Sequence, residues 1–331
     1  MANRIGRRRF IFAFGGASVA WPFVARAQQP PMRVIGLLHP GSSSEFANFV
    51  AAFRKGLRQT EFIEGQNLAI EYRWADNHYE RLPELAADLV RRQVAVIAAI
   101  GGTATARAAK VATTTIPIVF IAAGDPVKDD LVTSLSRPGG NLTGLSLLNL
   151  AVAGKRLELL HELMPKVTMV AVLVNPANPQ AAPEVEQLEA AARTLGLQLR
   201  LHNASNTREV EAAYATLVQD KAAALLVVSD PLFTSRRDEL AALAARHAIP
   251  AVYQYREFAT AGGLLSYGTN LIEAYRQAGV YTGRILTGIK PADLPVEQAT
   301  KIEMVVNLKA AKKLGLEVPT SILLRADEVI E

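Results

Sequence analysis

The stretch VIGLLHPGSSSEFANFVAAFRKGLRQ, residues 34 to 59, decides the fold class. Its first five residues form an apolar run that is typical of a buried strand. A polar loop containing Pro40 and Gly41 follows, and residues 46 to 59 then place apolar side chains at helical spacing. The stretch is therefore a strand, a loop and a helix, which together make one unit of an α/β fold.

The same unit recurs along the chain. Further apolar runs predict strands at Leu68–Trp74, Val94–Ile100, Ile116–Ile121, Met169–Val174, Leu197–Leu201, Ala223–Val228, Ala251–Tyr253 and Leu264–Tyr267. Helical spacing predicts helices at Arg81–Arg92, Thr103–Ala112, Pro183–Leu195, Thr207–Gln219, Ser235–His247 and Asn270–Leu286. Continuous apolar strands separated by helices are typical of parallel sheets covered on both faces, so the predicted class is α/β with doubly wound parallel sheets.

The units form two series, residues 33 to 121 and 169 to 267, and a chain of this length suits two domains. Turn-rich segments at 135 to 148, 268 to 270 and 290 to 298 are predicted to cross between them. We therefore predict one lobe from residues 32 to 146 plus 269 to 292 and a second from 147 to 268 plus 293 to 331. Three crossovers would leave a ligand cleft between the lobes.

The N-terminal segment has the features of an export signal. Arg7, Arg8 and Arg9 precede Phe10 and Ile11, which resembles the twin-arginine signature, and an apolar stretch then leads to Ala-Arg-Ala at residues 25 to 27. The prediction is a twin-arginine-type signal peptide over residues 1 to 27 and a mature protein in the periplasm. The alternative is an uncleaved membrane anchor, for which an apolar run of about 15 residues is short compared with the ~20 that a spanning helix needs.

Charge and composition exclude several functions. Five of the 36 basic residues lie within residues 1 to 27, which leaves 31 basic residues against 31 acidic ones. Nucleic-acid binding is not expected of a chain with no basic excess. The chain has no cysteine, so it offers no lipid-anchor residue, disulfide or thiolate ligand, and its five histidines lack metal-ligand spacing. We expect no cofactor, no metal and no direct membrane insertion after cleavage.

Three long motifs resemble those of the ABC-transporter substrate-binding family that includes tryptophan and phenylalanine receptors. They are IPIVFIAAGDPVKDDLVTSLSRPGGNLTGLS at 116 to 146, VYQYREFATAGGLLSYGTN at 252 to 270 and KIEMVVNLKAAKKLGL at 301 to 316. The resemblance implies a type I periplasmic-binding-protein fold of two lobes. It also implies a monomeric receptor that closes on a small molecule, an amino acid or related small carboxylate, and delivers it to an ABC permease.

Ligands of open parallel sheets bind beyond the carboxyl ends of the strands, which makes the loops there the candidate site. In the first lobe, Ser43 and Ser44 either cap a helix or contact ligand. Gly102 and Thr103 open a helix whose free N–H groups suit a carboxylate. Asp125, in the loop that the family motif places at the cleft, either forms a turn or contacts ligand.

In the second lobe, Asn175 follows a strand and suits a polar ligand group or a local backbone bond. Ser229 and Asp230 follow another, and Asp230 either pairs with a ligand ammonium or caps the next helix. Tyr253 and Tyr267 offer flat faces to an aromatic ligand; a core role is the alternative for tyrosines here and is expected of Tyr255 more than of Tyr267. Asn270 either contacts ligand or starts a helix.

Two other functions remain open on sequence. A hydrolase would need a nucleophile with a base in reach, and the chain has no Gly-x-Ser-x-Gly elbow. His39 is the histidine nearest the predicted cleft, and we expect it to form a hydrogen bond within its loop. A ligand-sensing partner of a membrane signalling protein would use the same clamshell and the same ligand. Sequence does not separate sensing from uptake.

Overall fold

A computed structural model describes residues 32–299 and 301–331 of the chain. The predicted signal peptide, residues 1 to 27, lies outside these residues. Within the described part, no helix is both long and apolar enough to cross a membrane.

Thirteen strands lie within the described residues. They are β1 (Arg33–His39), β2 (Leu68–Trp74), β3 (Ile97–Ala99), β4 (Ile118–Ala122), β5 (Leu142–Ser146), β6 (Met169–Val174), β7 (Gln198–Asn203), β8 (Leu225–Val227), β9 (Ala251–Tyr253), β10 (Leu265–Thr269), β11 (Glu297–Gln298), β12 (Ile302–Asn307) and β13 (Glu328–Ile330). All nine predicted strand positions are occupied.

Helices connect most of the strands. They are α1 (Ala47–Arg58), α2 (Leu82–Arg91), α3 (Thr103–Ala112), α4 (Ala153–Leu163), α5 (Ala181–Leu195), α6 (Thr207–Gln219), α7 (Pro231–Ser235), α8 (Arg237–Arg246), α9 (Arg256–Thr260), α10 (Leu271–Leu286), α11 (Leu308–Lys313) and α12 (Thr320–Leu323). Short 3₁₀ turns lie at Tyr79–Arg81 and Pro291–Asp293.

The strands form two sheets, and each is the centre of one lobe. The first has the order β11-β5-β4-β3-β1-β2 and the second the order β13-β12-β10-β9-β8-β6-β7. Among the described strands, all pairings are parallel except that between β10 and β12, which is antiparallel. Every residue of β4 and β8 is buried, as expected of strands covered on both faces. The predicted α/β class with two mostly parallel sheets is confirmed.

The chain passes between the sheets three times: after β5, between β10 and α10, and between β11 and β12. The predicted division at residue 293 assigned β11 to the second lobe, whereas β11 pairs with β5 in the first sheet. This strand has only two residues, both exposed. It therefore leaves no hydropathy signal from which its sheet could be predicted.

Helix α10 returns to the first lobe and packs closely on α1. A β-carbon on Gly56 of α1 would lie 1.8 Å from the carbonyl oxygen of Arg276, and one on Gly279 of α10 would lie 2.0 Å from that of Phe53. The two backbones can touch only because both positions are glycine. This contact holds the N-terminal half of α10, including Tyr275, beside the loop that follows β1.

Candidate ligand-binding cleft

A cavity lies between the two lobes at the carboxyl ends of their parallel strands. Its unfilled space is about 520 Å³, part of it open to solvent. Most of the lining is aromatic, aliphatic or small, and Asp230 is the one charged side chain among the lining residues. These residues are Phe46, Tyr79, Gly101, Gly102, Thr103, Ala104, Ile121, Ala123, Leu147, Asn178, Gln180, Ser229, Asp230, Pro231, Thr234, Tyr255, Leu271 and Tyr275.

Asp230 is the most heavily hydrogen-bonded group of the cavity. Its Oδ1 accepts from Asn175 Nδ2 at 3.1 Å and from the Leu232 N–H at 2.8 Å, the latter capping α7. Its Oδ2 accepts from Asn178 Nδ2 at 2.8 Å and from the Tyr79 hydroxyl at 3.0 Å. Burial raises the pKa of Asp230, and the four donors oppose that rise because they favour the carboxylate. Asp230 therefore both caps a helix and lines the cavity.

Two hydrogen-bonded pairs join the lobes across the cavity. The first is Tyr79 of the first lobe with Asp230 of the second. In the second pair, Gln180 Nε2 donates to both carboxylate oxygens of Asp129, at 3.2 and 3.3 Å. The amide oxygen of Gln180 is buried and has no hydrogen-bond partner among the described residues. Gln180, a lining residue, thus has an unpaired buried acceptor close to Gly124.

A buried ion pair supports the Ser229-Asp230 loop from behind. Arg156 and Glu184 are both fully buried and bond each other. Glu184 also accepts from the Ser229 N–H at 3.1 Å and from its hydroxyl at 3.2 Å. Burial raises the pKa of Glu184, and the nearby Arg156 charge opposes that rise. The ion pair fixes the loop that carries Asp230.

Helix α3 begins at the cavity wall. Gly101 and Gly102 have φ values of 109° and 125°, which favour glycine, and they turn the chain directly from β3 into α3. Thr103 is buried, and its hydroxyl lies 3.5 Å from Asp129 Oδ2. The first N–H groups of an α-helix have no intrahelical partner. Gly102 and Thr103 both line the cavity, but the Gly102 N–H donates to the Ile121 carbonyl at 3.1 Å, so the polar donor at this wall comes from Thr103.

Tyr275 is held by His39. The N–H of Gly41 donates to His39 Nδ1 at 2.9 Å, and His39 Nε2 lies 2.8 Å from the Tyr275 hydroxyl. His39 is fully buried, and this burial lowers its pKa to about 3. The imidazole is therefore neutral at physiological pH, and its role matches the loop hydrogen bond expected from sequence. Tyr255, on the opposite wall, is held by Asn149, whose Nδ2 donates to the Tyr255 hydroxyl at 2.6 Å.

Four predicted residues of the first lobe and its crossover lie outside the cavity. Ser43 and Ser44 are in an exposed turn, and α1 has no side-chain cap. Asp125 is exposed, and its Oδ1 accepts from the N–H groups of Val127 and Lys128, so it forms the turn that was the alternative reading. Asn270 caps α10 through the Glu273 N–H and donates to Glu303. Local backbone donors hold both polar side chains.

Of the residues predicted in the second lobe, some line the cavity and others do not. Ser229 and Asp230 line the cavity, whereas Asn175 lies behind it and holds Asp230. Tyr253 is fully buried and stacks on Phe258 with ring centroids 4.6 Å apart, in the core and not in the cavity.

Tyr255 and Tyr267 lie in the opposite environments to those expected from sequence. Tyr267, on β10, packs against the core of the second lobe. Tyr255, expected in the core, lines the cavity. Tyr255 directly precedes α9, so it stands at the cleft end of β9, two residues beyond Tyr253.

Sequence reasoning missed Tyr79, Gln180 and Tyr275. Tyr79 lies in the loop after β2, so a full survey of the loops after strands could have found it. Gln180 immediately precedes α5, at the end of the loop that begins with Asn175. Tyr275 lies in α10, which belongs to the second chain segment of the first lobe. Its role carried no local signal, because helical spacing marks it only as a buried position.

Comparisons with known proteins agree with this geometry. A protein family described as "ABC transporter substrate binding protein" matches residues 35–330. Over 265 residues the chain is 29% identical to a tyrosine-binding protein of Clostridioides difficile (strain R20291), a match covering 80% of this chain and 76% of that protein.

Two solved structures are also similar over 90% of this chain. One is an ABC domain from Streptococcus pneumoniae in complex with L-Trp, with 25% identity, a TM-score of 0.79 and 100% of that chain covered. The other is the ligand-free, open structure of a substrate-binding protein with adhesive properties from Clostridium difficile, with 27% identity, a TM-score of 0.61 and 99% covered.

Proposed function

The chain belongs to the family of ABC transporter substrate-binding proteins, and on this premise we propose that it is a periplasmic receptor for an aromatic amino acid or a related small carboxylate. It delivers this ligand to an ABC permease in the inner membrane. The main support for this proposal is the cavity between the lobes, which combines aromatic walls with the buried carboxylate of Asp230.

The cavity suits a ligand with a flat apolar part and a few polar groups. Phe46, Tyr79, Tyr255 and Tyr275 supply aromatic surface. Asp230 and the unpaired amide oxygen of Gln180 are acceptors for an ammonium group. A tyrosine-binding protein and an L-Trp complex among the similar proteins support the same class of ligand.

The ligand acts by stabilising the closed arrangement of the lobes. This chain superposes better on the L-Trp complex than on the ligand-free, open structure, although the identities are 25% and 27% and the coverage is equal. The hydrogen bonds from Tyr79 to Asp230 and from Gln180 to Asp129 also require the lobes to be close. A ligand that contacts both lobes favours closure because its contacts are complete only there.

Export to the periplasm would bring the receptor into the compartment where it meets its ligand. The twin-arginine-type leader directs the folded chain to the periplasm, and cleavage after Ala27 releases a freely diffusing monomer. The enzyme alternative has less support, because the part of the cavity lining that the structure describes includes neither a cysteine nor a histidine.

The proposal is tested on protein expressed with its own leader and purified from the periplasmic fraction. Mass spectrometry should give an N-terminus near Gln28, and size-exclusion chromatography with light scattering should give a monomer. A thermal-shift screen should then include amino acids, aromatic acids, sugars and nucleosides. A ligand at a hundred times its Kd stabilises the native state by about 2.7 kcal/mol. Stabilisation by sugars or nucleosides alone would contradict the proposed ligand class, and retention in the cytoplasm would contradict the proposed location.

A further inference from the structure

The described residues that line the cavity include no basic side chain with which to bind a ligand carboxylate. Its lining residues include no lysine, arginine or histidine. Carboxylate recognition must therefore come from neutral donors, and the direction of each hydroxyl hydrogen decides which groups can donate. Two lining tyrosines each have a buried side-chain nitrogen within hydrogen-bond distance of the hydroxyl oxygen.

The direction of the Tyr275 hydroxyl follows from His39. The Gly41 N–H can only donate, so His39 Nδ1, at 2.9 Å, must be the acceptor. A neutral imidazole with an unprotonated Nδ1 carries its hydrogen on Nε2. Nε2 therefore donates to the Tyr275 oxygen at 2.8 Å, and the hydrogen of that hydroxyl points elsewhere. Among the described residues it has no acceptor within hydrogen-bond distance.

Tyr255 has the same arrangement on the other lobe. Asn149 Nδ2 donates to the Tyr255 oxygen at 2.6 Å, which leaves the hydroxyl hydrogen without an acceptor among the described residues. Burial raises the pKa of both tyrosines, and for Tyr275 the nearby Tyr255 contributes as well, so both stay protonated. Tyr275 comes from α10 of the first lobe, and Tyr255 precedes α9 of the second.

We propose that the hydroxyls of Tyr275 and Tyr255 form a carboxylate clamp, with one donor from each lobe. His39 and Asn149 are its positioning residues, because each donates to a tyrosine oxygen and so directs the tyrosine hydrogen to the ligand. The two hydroxyls reach the same group only when the lobes are closed. Binding of a carboxylate is thereby coupled to closure. This inference rests on the proposed function and identifies the ligand group that the cavity requires.

Tyr275→Phe and Tyr255→Phe test the clamp directly, since each removes one hydroxyl and keeps the ring. Calorimetric titrations use L-tryptophan, indole-3-acetate, which lacks the amine, and tryptamine, which lacks the carboxylate. We expect each variant to weaken the first two ligands roughly tenfold or more, as for loss of a hydrogen bond to a charged group. Tryptamine affinity should not change. Tyr253→Phe, which removes a buried hydroxyl outside the cavity, is the matched control and should bind all three like the parent protein.

The outcomes separate the clamp from the proposed function. Equal losses for tryptamine and L-tryptophan, or no loss in either tyrosine variant, would overturn the clamp and leave the receptor. If indole-3-acetate binds and depends on both tyrosines while amino acids do not bind, the clamp stands and the amino-acid ligand is lost. If neither carboxylate binds the parent protein, both fail.

The role of His39 is tested separately by ¹⁵N NMR of its imidazole, which shows which ring nitrogen carries the hydrogen. The expected signature between pH 5 and 8 is an unprotonated Nδ1 and a protonated Nε2. A merely structural histidine could hold either tautomer. A hydrogen on Nδ1 would make Tyr275 the donor to His39 and would overturn the proposed direction.

Discussion

The hydroxyl of Tyr79 in the first lobe donates to the carboxylate of Asp230 in the second, at 3.0 Å. Asp230 already holds the N-terminus of α7, so this bond connects a 3₁₀ turn of one lobe to a helix of the other. The bond can form only when the lobes are close. This hydrogen bond therefore stabilises the closed state and not the open one.

We expect Tyr79→Phe to weaken ligand binding roughly tenfold, because the closed state loses a hydrogen bond to a charged group. The variant should also show a larger radius of gyration without ligand in small-angle X-ray scattering. Tyr72→Phe is the matched control, since the Tyr72 hydroxyl bonds Arg54 and Glu64 within the first lobe. Equal losses in the two variants would show that the bond across the cleft does not favour closure.

Asp230→Ala should lower both stability and affinity. Four donors lose their acceptor and α7 loses its cap, so the free energy of unfolding should fall by about 1–3 kcal/mol in urea denaturation. Affinity for L-tryptophan should fall more than tenfold and that for indole-3-acetate by less. If both ligands weaken equally, Asp230 acts through closure and does not contact the ammonium.

Much of the fold could be predicted because its strands are buried on both faces. Such strands appear in the sequence as continuous apolar runs, which is how β4, β6 and β8 were found. Strands β11 and β13 are short and no residue of either is fully buried, so they leave no apolar run in the sequence. Strand β12 (IEMVVN) has an apolar run and is as buried as β6, but it was not predicted, and its antiparallel direction does not follow from its local sequence.

Four predicted residues, Gly102, Thr103, Ser229 and Asp230, line the cavity, and they follow β3 and β8. Asp125 and Asn175 follow β4 and β6 but do not line it, so a position after a central strand is not by itself sufficient. Prediction failed where tertiary packing supplies the residue. Tyr275 reaches the cavity only because α10 crosses back and packs on α1, and no local pattern records that contact.

His39 should make stability depend on pH. Burial lowers its pKa from 6.5 to about 3 in the folded state. Between these values the unfolded chain binds a proton at His39 and the native state does not, so stability is lost as pH falls below 6.5. Between pH 7 and pH 5 the parent protein should lose about 2 kcal/mol more than His39→Gln. Parallel stability curves from urea denaturation would show that His39 titrates normally in the folded state.

The buried pair of Arg156 and Glu184 should be costly to break and much less costly to replace. Both side chains are fully buried, and Arg156 also donates to the Asn149 carbonyl at 3.2 Å, which links the Asp230 loop to the residue that holds Tyr255. Arg156→Met or Glu184→Leu alone leaves an unpaired buried charge, with an expected loss of about 3–5 kcal/mol. The double variant should lose less than either single variant, because neither charge remains. Urea denaturation of the three variants measures this coupling, and additive losses would mean that the two charges do not stabilise each other.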